Sequence, residues 1–155
     1  MNEPTPVLAI DPGASGGLAW TDPAGGVHAE PMPPGMTATV DRLRELYLYL
    51  PNLTAVVENV GWWHPGDHPN AAAKFARHCG ELDAALYAVG IPSLRKPTPQ
   101  TWMKALGTLP KDKAARKRAI RDLMARHYPH LRVTLQTADA LGILTYHLMT
   151  QPRKG

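Results

Sequence analysis

The sequence predicts an α/β fold in which a mixed β-sheet carries helices on both faces. Two observations carry that expectation. Two short apolar runs near the start are joined by a turn of almost bare backbone, as the strands of an antiparallel hairpin are. Later apolar runs alternate with helix-periodic segments, as parallel strands with crossover helices require. The 155 residues, 44% of them hydrophobic, are enough for one domain, spanning 1–155, with a buried core, and too few for two.

Each element has its own signal. Residues 6–11 form a fully apolar run that ends at Asp11, and LAWTD at 18–22 reads as its hairpin partner. VHAEP at 27–31 gives a third strand after the turn DPAGG, and PMPPG then breaks the chain. Thr37 is placed to cap a helix reaching about residue 50, with Val40, Leu43, Leu46 and Tyr47 on one face. LTAVVEN at 53–59 is a second buried strand ending in a carboxylate, Glu58. A polar loop, GWWHPGDHPN, leads into a long helix over 70–88. Its apolar stripe is Phe75, Cys79, Leu82, Leu86 and Val89, and Gly90 closes it. IPSLRKP gives a short strand confined by its prolines to the sheet margin. A short helix near 100–106, a basic helix over about 112–127 and a last helix over about 137–149 complete the chain.

Composition narrows the function. Cys79 is the single cysteine, which excludes an intrachain disulfide and fits a reducing, cytoplasmic setting. The start, MNEPTP, is unlike a signal peptide, and no apolar run approaches the ~20 residues that span a bilayer, so no membrane role is expected. The net charge is +4, unevenly spread. The first 94 residues carry ten acidic side chains against four basic ones, whereas 95–132 carries eleven Lys and Arg opposed only by Asp112 and Asp122. Such one-sided polarity points to a polyanion partner, nucleic acid above all.

Three acids stand out against that basic segment. Asp11 and Glu58 terminate apolar strands, where a charge is costly unless paired or metal-bound. Asp139 lies near the start of an apolar last helix. Each has an ordinary structural role open to it: a turn residue, a surface strand end, and a favourable partner for the helix dipole in its first turn. Together they suggest a site for hard divalent cations. A pair of such ions ~3.5–4 Å apart can activate a water and stabilise the leaving oxygen of a phosphodiester.

The stretches IDPGASGGLAW, AVVENV and TADALGILTYH, in that order, resemble the first acidic strand, second acidic strand and C-terminal helix of the RuvC family of Holliday junction resolvases, in the RNase H-like superfamily. Lys104 in TWMKALG and Lys113 in KDKAA fall where that family carries lysines near its active site. The resemblance spans roughly 7–147, in a chain of the smaller, phage-type size. It implies a sheet in the order 3-2-1-4-5 and a Mg²⁺- or Mn²⁺-dependent homodimer that nicks opposed strands of a four-way DNA junction in recombination and repair. It implies Asp11, Glu58 and Asp139 as metal-binding carboxylates. The family's fourth ligand position falls on Gln136, whose neutral amide binds a hard cation more weakly. His147 matches a frequent family histidine of open role. The family also implies an aromatic wedge after the second acidic strand, where Trp62 and Trp63 stand; at least one is expected as a base-stacking platform. His64 and His68 in the same loop have no third zinc ligand with suitable spacing. Lys111, Arg116, Lys117 and Arg121 are expected to contact DNA phosphates.

Other classes remain to be weighed. A sugar-kinase or actin-like phosphotransferase shares the D-x-G turn but needs two related domains. A non-catalytic junction- or RNA-binding module would account for Gln136. An RNase H-type or pre-rRNA-processing nuclease would use the same acids on another substrate.

Overall fold

The computed structural model describes residues 4–61 and 66–152. Five strands, β1 (Val7–Asp11), β2 (Gly17–Thr21), β3 (Val27–Pro31), β4 (Thr54–Val57) and β5 (Ser93–Arg95), form one sheet in the order β3-β2-β1-β4-β5. The β1–β2 and β2–β3 pairs are antiparallel, and β1–β4 and β4–β5 are parallel. This is the expected 3-2-1-4-5 order, with hairpins first and crossovers after. The short β5 occupies the sheet margin, as its flanking prolines predict.

Alternation along the central strands sorts side chains into two layers. Leu8, Ile10, Leu18, Trp20 and Val57 face one layer, closed by α1 (Gly35–Tyr49) and α2 (Pro69–Val89) through Leu43, Leu46, Leu82 and Leu86. Val7, Ala9, Ala19 and Val56 face the other, closed by α3 (Pro99–Ala105), α4 (Lys113–His127) and α5 (Leu135–Thr150). The second face is paved with small residues, so α5 lies close upon it. A β-carbon on Gly17 would run into the Gln136 carbonyl oxygen. Nearly every residue of α5 from Thr137 to His147 is buried. No described helix is long and apolar enough to cross a membrane.

Two helix starts differ from expectation. Thr37 does not cap α1, which begins at Gly35 after Pro34. Pro33 and Pro34 hold the chain extended, and Gly35, at φ 78°, turns it sharply into the helix. Thr39 then donates its hydroxyl hydrogen back to the Gly35 carbonyl at 2.9 Å. The last helix begins at Leu135 rather than 137, because Thr134 is the cap and Thr137 its capping-box partner. Asp139 therefore sits in the second turn, beyond the reach of the helix dipole, and dipole stabilisation does not account for it.

Candidate active site

Asp11 closes β1, and Glu58 follows directly on β4, its parallel neighbour. The Glu58 N–H donates to the Ile10 carbonyl at 3.0 Å, which holds both acids at the carboxyl ends of adjacent central strands. The close seating of α5 on Gly17 brings Asp139 to that end of the sheet too. All three carboxylates line one cleft of about 840 Å³.

The turn after Asp11 forms the cleft's lip and explains its glycines. A β-carbon on Gly16 would collide with the Asp11 carbonyl, so the chain could not fold back so tightly. Gly13 adopts φ 105°, which side chains other than hydrogen rarely accept, and the Phe75 ring of α2 packs on it. The turn is thus a clear approach to the Asp11 carboxylate, walled on one side by α2.

Burial and mutual repulsion govern the charge state of the acids. Burial pushes Asp11 up to about 8, and the negative charges of Glu58 and Asp139 add to the rise while Lys117 opposes it. Burial pushes Glu58 up to about 7, with a hydrogen bond from Trp102 pulling the other way and Asp139 adding repulsion. Asp139 is raised by burial and opposed by Lys117 and Arg116. Among the described residues no salt bridge neutralises any of the three. The cleft buries three carboxyl groups at its floor, where burial and mutual repulsion favour their protonated forms, and sets cations at the rim.

Those cations come from α4. Lys113, Arg116 and Lys117 line the cleft together with Ile120, the 0, 3, 4 and 7 positions of one helical face. Asp112 caps the helix, accepting the Ala115 N–H at 2.8 Å. Lys113 therefore stands where the sequence places it, and Arg116 and Lys117 stand beside it. Lys104, Lys111 and Arg121 do not line the cleft; Lys104 and Lys111 are exposed, and Arg121 pairs with Asp122. Gln136 is exposed one turn before Asp139 and is not part of the cleft lining. Trp62, Trp63 and His64 lie outside the described residues. His147 is buried in the far half of α5, away from the cleft lining, its pKa lowered by burial and by Arg95.

Sequence reasoning missed Trp102. This residue of α3 is fully buried, and its indole Nε1–H donates to Glu58 Oε2 at 2.6 Å. The ring lies against Gly142 of α5, where a β-carbon would stand 2.6 Å from Cζ3. The available signal was Gly142 itself, a glycine in the interior of an apolar helix. Lys74, Phe75 and His78 of α2, which form the opposite wall, were missed as well.

No protein-family model matches the sequence, and no curated protein does. Solved structures do match. The chain superimposes on T. thermophilus RuvC in complex with Holliday junction substrate at a TM-score of 0.57, with 20% identity over 92% of both chains. Against a further Thermus thermophilus RuvC structure the TM-score is 0.56, with 20% identity over 92% of this chain and 93% of that one. The fold is that of RuvC.

On this RuvC fold the donor set fits a hard divalent cation in kind. It is all oxygen, it is electrostatically coupled, and it is buried enough that its charges are costly unless neutralised. The acids do not form a closed cage: among the described residues no three His, Cys, Asp or Glu side chains stand close enough to hold an ion as they lie. A cation would have to draw at least one carboxylate inward.

Proposed function

We propose that the chain is a divalent-metal-dependent endonuclease that nicks opposed strands of four-way DNA junctions. The observation that carries this reading is the convergence of Asp11, Glu58 and Asp139 in one cleft rimmed by Lys113, Arg116 and Lys117, on the fold of RuvC. A site of this kind recognises a phosphodiester: cations attract the backbone, and the acids at the floor demand metal.

Asp11, Glu58 and Asp139 would hold Mg²⁺ or Mn²⁺, with Gln136, exposed one turn before Asp139, the weaker fourth ligand that the resemblance implies. The ions would supply polarisation of the scissile phosphate and activation of a water. The protein's own groups do the rest. Lys113 and Lys117 stabilise the charge that grows on the phosphate oxygens. Arg116 fixes a neighbouring phosphate, as a planar guanidinium does well. The glycine turn lets the strand approach without side-chain obstruction. A junction offers two equivalent opposed strands, so paired nicking calls for two such sites and a homodimer.

The test is substrate selectivity. A synthetic four-way junction, a linear duplex of the same sequence and a single strand are incubated with the protein in Mg²⁺ or Mn²⁺. The expected result is paired nicks in the junction alone. Junction binding without nicking in either metal would assign the chain to non-catalytic recognition. Equal cleavage of an RNA–DNA hybrid would assign it to another substrate. If Gln136 is a ligand, Gln136→Asp lowers the metal concentration for half-maximal nicking, and an unchanged requirement removes it from the site.

A further inference from the structure

The buried contact between Trp102 and Glu58 has a consequence for which ion the cleft selects. Trp102 is fully buried, and the short indole hydrogen bond occupies Glu58 Oε2. Among the described residues no hydrogen bond reaches Oε1. The indole cannot retreat, because its far edge abuts α5 at Gly142. Two elements thus lock one donor: α3 supplies the ring, and α5 backs it with the one residue that has no side chain.

A hydrogen bond of this kind uses one lone pair of Oε2 and fixes the carboxylate plane, so Oε1 is the freer donor and chelation by both oxygens is disfavoured. Ca²⁺ favours larger coordination numbers and bidentate carboxylates, whereas Mg²⁺ demands a compact octahedron with monodentate donors. We propose that Trp102 is a positioning residue that restricts Glu58 to one-oxygen coordination and so biases the cleft toward small octahedral cations over Ca²⁺. The inference rests on the metal-site reading given above and goes beyond it, since it assigns ion selectivity to an indole that touches neither ion nor DNA. The cost of losing such a partner is generally 10- to 100-fold in metal affinity or activity.

The test compares wild-type protein with Trp102→Phe, which keeps an aromatic ring in this fully buried site and removes the N–H donor along with part of the ring volume. Mn²⁺ affinity is read from the electron paramagnetic resonance signal of free Mn²⁺, and Ca²⁺ affinity from its competition with Mn²⁺, both without DNA. Trp102→Phe should weaken Mn²⁺ binding by about tenfold or more and narrow the preference for Mn²⁺ over Ca²⁺. A folded Trp102→Phe protein with unchanged affinity for both ions overturns the proposal, as does a wild-type protein that binds neither. Should Trp102→Phe fail to fold, the indole N–H resonance of ¹⁵N-labelled wild-type protein decides. One such resonance should lie far downfield and shift with Glu58→Gln and with diamagnetic Mg²⁺; no response to either refutes the contact. The two readings fail separately. Trp-dependent ion selectivity without junction nicking leaves this inference standing and removes the proposed function. Junction nicking with the same metal preference in Trp102→Phe does the reverse.

Discussion

Asp11 keeps its proton to about pH 8 because water is replaced around it by protein and by two other acids. Glu58 does so to about pH 7, and Asp139 is raised in the same sense. A carboxyl whose folded pKa lies above its unfolded value holds a proton that the unfolded chain has released. Its contribution to stability is full below about pH 4, the unfolded value, and is lost as the pH rises through 7 to 8. With metal chelated, Asp11→Asn should therefore be more stable than wild type at pH 8.5, by ~1 kcal/mol or more. The gap should shrink toward pH 6. The lowered histidines His78 and His147 are common to both proteins and cancel in the difference. Thermal melts of the two proteins across that range check this. Mn²⁺ should then raise the melting temperature of wild type and leave that of Asp11→Asn nearly unchanged.

Helix α4 sets three cations at the rim of the cleft, and its phase was partly readable. Lys113, Arg116, Lys117 and Ile120 repeat at helical spacing, and Ile120 is fully buried, so the three cations must follow it toward the cleft. Arg121 follows Lys117 by one turn but stands outside the cleft lining, paired with Asp122. Replacing Lys113, Arg116 and Lys117 together by alanine should weaken junction binding and flatten its log–log salt dependence by up to ~2–3 units. Arg121→Ala should change that slope little, and equal effects from the two variants would mean that α4 presents another face to DNA. The seating of α5 is as decisive for the acids. Gly17→Ala would force the Gln136 carbonyl away from β2, and overpacking of this kind costs about 1–3 kcal/mol. Urea denaturation should show that loss, and an unaffected midpoint would show that α5 yields freely. The strands were legible because apolar runs and turn residues report on local geometry, whereas their order came from the resemblance to the RuvC family. The helix starts at Gly35 and Leu135 were not, because a glycine of positive φ and a choice between two threonine caps are settled by what the helix packs on. The Trp102–Glu58 bond joins residues 44 apart in sequence, and no local pattern encodes it.

Across the whole molecule, the sheet order does the gathering. Residues 11, 58 and 139 meet because β1 and β4 are parallel neighbours and α5 crosses the face that small residues leave open. The apolar strand ends made Asp11 and Glu58 visible in the sequence; the closeness of all three, and the walls around them, follow only from packing. On the proposed function the cleft separates two tasks, phosphate attraction by the α4 cations and metal binding by the acids, so one can be removed while the other stays. The direct measurement is nicking and binding of a four-way junction by Asp11→Asn beside wild type, in Mg²⁺ and in Mn²⁺. Wild type should nick, and Asp11→Asn should bind the junction with comparable affinity while its nicking falls by several orders of magnitude. Nicking by Asp11→Asn at the wild-type rate would contradict the assignment of the carboxylate cleft as the catalytic centre.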